Sequence, residues 1–208
     1  MQWIAMLTML IDHIGIVWFP DSPVWRIVGR LAFPIYTWYV ALGMSRTRSL
    51  PNYIRRLAWL ALASQIPFSL LFNTWDVNVI GTFAVSVFAL YWMEKMPRNN
   101  PLRYLIPAAA AVLMEWIGFD YGAYGLLLLA VYRYAEGIAI PALHFMLNIA
   151  YLLWHPAPIQ MFSIAPSLVF ASPGAVRPLD RPPVPRWLWR SFYPVHLAAL
   201  YILAAVIP

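Results

Sequence analysis

Long apolar runs broken by short polar punctuation dominate the chain. They fall at 1–19, 24–44, 54–72, 77–93, 102–119, 121–135, 138–154, 158–171 and 187–207, with turn-forming residues such as Pro20, Pro23, Asn73, Asn99, Asn100 and Pro101 between them. A helix needs roughly 20 apolar residues to cross a hydrocarbon layer. The runs are too continuous for the alternating strands of a membrane barrel. The pattern therefore predicts an all-α fold: a polytopic integral membrane bundle of about nine transmembrane helices. Residues 1–208 are read as a single transmembrane helical domain with no soluble domain. The segment 158–171 is short and contains Pro166, so it is either a span or re-entrant, and the charge pattern favours a span. The link 172–187, with five prolines, reads as a stiff extended connector.

Composition and charge sharpen this reading. The chain is 62% hydrophobic and 11% charged, against roughly 25% charged residues in an ordinary soluble domain. It has no cysteine, which excludes a disulfide framework, a thiol nucleophile and a thiolate metal site. Residues 1–19 lack a basic start and carry Asp12 and His13, so they read as a retained first span instead of a signal peptide. Arg46, Arg48, Arg55 and Arg56 follow the second span; Lys95, Arg98 and Arg103 follow the fourth; Arg133 follows the sixth; Arg177, Arg181, Arg186 and Arg190 surround the last link. Cytoplasmic loops collect such residues. An amino terminus in the cytoplasm and a carboxyl terminus outside follow. Asp21, Asp76, Asp120 and His155 fall on the opposite side. Because the basic residues are divided among short loops, they do not make a nucleic-acid surface.

The remaining cations, Arg26 and Arg30, lie in the second span. Asp12, His13 and Arg30 share a depth of about 18–21 Å from the inner surface. An unpaired Asp or Arg near a helix centre costs roughly 2.5–3.5 kcal/mol, so the sequence predicts an Asp12–Arg30 pair across the hairpin. Such a pair either pins two helices or marks a site. Arg26, Arg30, Phe33 and Thr37 recur at helical spacing on one face, as do His144, Asn148, Tyr151 and His155. The second stripe reads equally as a substrate path or as a hydrogen-bonded helix seam. Tyr193 and His196 form a third polar patch, and Glu115 and Gln65 are weaker candidates. No metal-binding pattern, GxSxG elbow or phosphate loop occurs.

Four stretches carry a resemblance: MQWIAMLTMLIDHIG, WRIVGRLAFPIYTWYVALGMSRTRS, YIRRLAWLALASQIPF and SFYPVHL. In order and spacing they resemble the TraX family, named for a conjugation protein linked to acetylation of the pilin amino terminus. DHIG, GRxAFP, SQIPF and FYPxHL are the specific points, and 158–187 departs from the family pattern. The family is similar to other transmembrane acyltransferases, including the lysosomal enzyme that acetylates heparan glucosamine. The resemblance implies a bacterial cytoplasmic (inner) membrane, multi-pass, enzyme that moves an acetyl group from cytoplasmic acetyl-CoA, as co-substrate, to an acceptor outside. Besides membrane lipid, its expected partner is an acyl acceptor: a pilin-like peptide amino terminus, a glycan or a lipid headgroup.

For that chemistry His13 is the expected base, oriented or charge-balanced by Asp12 or Arg30, with His196 as the alternative base or a ligand of the thioester carbonyl. Arg46, Arg48, Arg55 and Arg56 are expected to hold the phosphates of acetyl-CoA, although the positive-inside rule alone explains them. Arg26, Thr37, Gln65, His144, Asn148 and Tyr193 are expected along a substrate path. No metal is expected. The rival reading is a transporter or flippase that uses the same buried Asp, Arg and His residues as a coupling or substrate site.

Overall fold

The computed structural model describes residues 1–172, 174 and 183–206. Arg177 and Arg181, which enter the charge pattern of the last link, lie outside the described residues. Among the described residues ten helices carry the fold: α1 (Gln2–Trp18), α2 (Pro23–Gly29), α3 (Ala32–Arg46), α4 (Leu50–Phe72), α5 (Val79–Lys95), α6 (Leu105–Ile117), α7 (Gly122–Tyr134), α8 (Ala139–Trp154), α9 (Ile164–Phe170) and α10 (Arg186–Val206). Short 3₁₀ helices, Pro101–Tyr104 and Pro158–Ser163, precede α6 and α9. Among the described residues the only strand-like pairing is an isolated bridge between Val77 and Phe119.

Local chemistry fixes the helix ends. Ser49 accepts the Asn52 N–H at the start of α4, and Asn78 accepts the N–H groups of Ile80 and Gly81 at the start of α5. Asn73 and Gly118 close α4 and α6 in the left-handed conformation, with φ of 49° and 83°. Residues 24–44, read as one span, form two helices. Pro34 has no N–H to give the Arg30 carbonyl, and the ladder tightens at Leu31 N–H to Val28 C=O (3.2 Å). Taken together, Pro23–Arg46 is the one unit among the described residues long and apolar enough to cross a membrane, at 24 residues and a mean hydropathy of 1.2. Gln2–Trp18, Ala139–Trp154 and Pro158–Phe170 are shorter apolar helices.

The bundle has two ends of different character. At one end Arg133 donates to Glu94 (3.0 Å) and Ser45 (2.7 Å), joining the last turns of α7, α5 and α3. At the other end the Val77–Phe119 bridge brings together the loops carrying Asp76 and Asp120. These are the basic and acidic ends. The 158–170 segment starts at the acidic end, where Gln160 lies near His155. It finishes beside Tyr132 and Trp38, toward the basic end. Past the undescribed link, Val184 N–H reaches Gln2 at the start of α1, again at the basic end. Phe33, Phe83, Val87, Leu128, Leu129, Phe170 and Leu197 fill the centre. The periphery is also apolar, with Ile66, Trp116, Leu153 and Ile202 exposed.

Candidate active site

A cavity of about 430 Å³ opens within the acidic half of the bundle. α1 supplies Asp12 and His13, the α2–α3 unit Arg26, Arg30 and Phe33, and the loop after α4 Thr74 and Asp76. Asp120 and Tyr121 enter from the α6–α7 turn, Tyr151 and His155 from α8, Gln160 from the 3₁₀ turn and Tyr193 from α10.

His13 Nδ1 lies 2.8 Å from His196 Nε2, and His196 Nδ1 lies 2.7 Å from the Phe192 carbonyl oxygen. The carbonyl only accepts, so His196 donates from Nδ1. In the neutral pair its Nε2 is then an acceptor, and His13 must donate from Nδ1. That leaves the lone pair of His13 on Nε2, on a ring that lines the cavity. The Phe72 ring at 5.1 Å and the nearly parallel His196 ring at 5.0 Å hold the imidazole in place. His196 itself stacks on Phe192 at 4.5 Å.

The expected Asp12–Arg30 pair is not formed. Asp12 Oδ1 instead accepts from Arg26 at 2.7 Å. The reason is helix phase. Asp12 packs on Gly29, where a Cβ would fall onto its carboxylate. Arg26, three residues before Gly29, shares that face, whereas Arg30 is rotated about 100° away. Arg30 instead faces the cavity and gives Tyr121 Oη a long hydrogen bond of 3.4 Å. Nor does Asp12 orient His13; His196 does.

Tyr121 was not marked by any sequence pattern. It sits at φ 63°, in the left-handed region that a bulky residue rarely adopts, and its ring stacks on Phe33 with centroids 3.7 Å apart. Asp120 beside it bonds through its backbone, N–H to Val77 C=O at 2.8 Å and C=O from the Thr82 hydroxyl. Burial pushes the Asp120 carboxyl up to about 7, against the pull of the Arg30 guanidinium. The sequence signal for both residues was only a polar pair beside a turn glycine.

The other expected residues divide by position. Arg26 and Tyr193 line the cavity. Thr37 is buried and returns its hydroxyl to Phe33 C=O at 2.8 Å. Gln65 ties down the α4–α5 loop through Asp76 C=O (2.8 Å) and Asn78 (2.7 Å). His144 and Asn148 are buried behind the cavity. Arg46, Arg48, Arg55 and Arg56 are exposed at the basic end, about 24 Å from Arg30 by the rise of α3.

The network around His144 has one direction. Asn148 Nδ2 donates to Gln160 C=O (3.2 Å) and Ser163 (3.0 Å), so its Oδ1 accepts from the Tyr124 hydroxyl (2.9 Å). Tyr124 then accepts from His144 Nε2 (2.8 Å), His144 Nδ1 accepts from Ser167 (2.6 Å), and Ser167 accepts from Tyr132 (2.6 Å). This chain clamps the 158–170 segment onto α7 and α8. The predicted stripe on α8 is thereby split: His144 and Asn148 belong to the clamp, Tyr151 and His155 to the cavity.

Fold and site together define an all-helical bundle in which a histidine, backed by a second one, and a part-buried ion pair line one cavity. The chain belongs to the TraX protein family, whose model matches residues 1–204. It is similar to Protein TraX of Escherichia coli, 29% identical with 97% of this chain and 84% of the relative covered. It is also similar to the probable fimbrial assembly protein FimC, serogroup H1, of Dichelobacter nodosus, at 27% identity with 95% and 91% covered. No solved structure matches it.

Proposed function

We propose that the protein is a membrane-embedded acyltransferase that moves an acetyl group from cytoplasmic acetyl-CoA to an acceptor amine or hydroxyl at the acidic end, outside the cytoplasm. The observation that carries the reading is the His13–His196 pair, whose hydrogen bonds leave the His13 Nε2 lone pair as the base of the cavity. The acceptor loses its proton to Nε2 as its nitrogen or oxygen attacks the thioester carbonyl carbon. The C–S bond then breaks, and the departing sulfur takes the proton from His13. Throughout, His13 keeps its Nδ1–H on His196, which orients the ring and accepts part of the developing positive charge. The Asp12–Arg26 pair fixes α1 against α2 one residue away, and so sets the height of His13.

The membrane reading is that of nine spans in a bacterial inner membrane, with the basic end cytoplasmic. It is supported by the apolar periphery and by the gathering of Arg46, Arg48, Arg55, Arg56 and Arg133 at one end. Arg46, Arg48, Arg55 and Arg56 suit the phosphates of the donor, whose acyl arm then extends inward toward His13.

The test is transfer of labelled acetyl from acetyl-CoA by purified protein in liposomes. His13→Ala is expected to lower the rate roughly 10²–10⁴-fold, the usual worth of a positioned acid–base group, with acetyl-CoA binding unchanged. A folded His13→Ala protein that transfers at the parental rate sinks the assignment. Loss of neither function nor rate in both His13→Ala and His196→Ala turns the reading toward a transporter.

A further inference from the structure

The cavity contains a second recognition element that the base does not explain. The Arg30 guanidinium has five N–H donors, yet among the described residues its one hydrogen bond is the 3.4 Å contact to Tyr121 Oη, and its buried Nε has no partner there. Among the described residues it forms no ion pair: Asp12 is bonded to Arg26, and Asp120 stays beyond 4.0 Å. A part-buried guanidinium with one long hydrogen bond and a buried, unpartnered Nε is costly, and the backbone around it is strained. Tyr121 holds a left-handed backbone at φ 63°, stacked on Phe33, and Pro34 breaks the helix beside Arg30. Strain of this kind gathers at ligand clamps.

We infer that Arg30 and Tyr121 form an oxyanion subsite, at which the acceptor carries a phosphate or carboxylate close to the group that is acylated. A planar guanidinium with free edges matches those groups in a bidentate way. The ligand enters from the acidic end, because Thr74, Asp76 and His155 line the same cavity, while the exposed arginines lie about 24 Å off along α3. The Asp76 carboxylate on the same cavity wall favours a cationic group, so the acceptor class is one that joins a cationic amine to an oxyanion. Burial lifts Asp120 to about 7, so near neutral pH it leaves much of the Arg30 charge unmatched.

The inference uses the cavity of the acyl-transfer reading, but its test needs no transfer. Binding of O-phosphoethanolamine, ethanolamine and inorganic phosphate is measured by calorimetry on the full-length protein in detergent, without acetyl-CoA. O-phosphoethanolamine is expected to bind roughly ten- to a hundredfold more tightly than ethanolamine, the worth of a charge-assisted pair, and inorganic phosphate to compete with it. Arg30→Gln should erase the preference. Arg30→Lys, which keeps the charge and so the fold, should weaken O-phosphoethanolamine several-fold because the bidentate geometry is gone. Equal binding of the two amines, or an unchanged affinity in Arg30→Lys, overturns the subsite. In vesicles, weaker competition by phosphate when phosphatidylethanolamine is present points to a lipid headgroup, and equal competition to a soluble anion; either supports the site. If the subsite holds and transfer fails, the acyl-transfer reading falls alone.

Discussion

At the scale of single residues the proposed chemistry rests on which nitrogen carries a proton. The Phe192 carbonyl fixes the His196 tautomer, and His196 fixes that of His13. Removing His196 therefore frees the His13 ring to adopt either tautomer. His196→Ala is expected to lower transfer less than His13→Ala does, and to shift the pH profile of kcat/KM, whereas His196→Gln, which restores an acceptor oxygen, should recover part of the loss. An unchanged profile in His196→Ala would remove the orienting role. Asp120 gives a separate pH signature. Its folded value of about 7 lies above the ordinary 3.8, so folding favours the protonated form. The stability this brings is full below 3.8 and is lost as pH rises through about 7. The melting temperature in detergent should fall between pH 5 and 8, and Asp120→Asn should flatten that slope.

At the scale of elements, two contacts decide whether the cavity exists. α1 meets α2 through glycine: a Cβ on Gly29 would fall on the Asp12 carboxylate, and one on Gly15 on the Trp25 side chain. Gly29→Ala is expected to push the helices apart, break the Asp12–Arg26 bond and destabilise the bundle by about 1–3 kcal/mol, the usual cost of overpacking. Thermal melting measures the loss, and an unchanged midpoint would show that α1 yields freely. The second contact is the clamp on the 158–170 segment. His144→Phe takes one partner from Tyr124, which keeps Asn148, and the acceptor from the Ser167 hydroxyl, which keeps Tyr132; the lost hydrogen bonds are expected to cost about 1–3 kcal/mol in all. Melting should drop accordingly, and protease should cut near 155–165 sooner than in the parent. Equal cutting rates would mean that the polar chain is not what holds this segment.

At the scale of the whole molecule, the proposed transfer uses two ends of different character. The cavity opens among Asp76, Asp120 and His155, while Arg46, Arg48, Arg55 and Arg56 are exposed at the opposite end. In the nine-span reading, a reporter at 94–101 should be cytoplasmic, and one at 73–78 or at the carboxyl terminus external. Reporters at 94–101 and 73–78 found on one side of the membrane would exclude it. Arg46→Ala combined with Arg48→Ala should raise KM for acetyl-CoA and leave kcat nearly intact, because these side chains lie far from the base. A drop in kcat with KM unchanged would place the donor elsewhere.

The apolar runs and their turn residues determined the helices, their order and most of their limits, because helix formation follows from local hydrogen bonding and from burial averaged over a turn. DHIG and FYPxHL marked His13 and His196 as polar residues in apolar helices, but not that they touch. That contact depends on packing between α1 and α10, which are separated by most of the chain. The same gap explains the misassigned pair: depth along a helix can be counted from sequence, whereas rotation about its axis is set by where a neighbour packs. Gly29 brought Asp12 into phase with Arg26 and turned Arg30 to the cavity. Tyr121 and Asp120 carry no periodicity because they sit in a turn, and only the meeting of the α4–α5 and α6–α7 loops makes them part of the site. The polar groups placed at a cost in apolar runs could be read from the chain; tertiary structure chose their partners, since a charge lowers that cost only against the group that packing puts within reach.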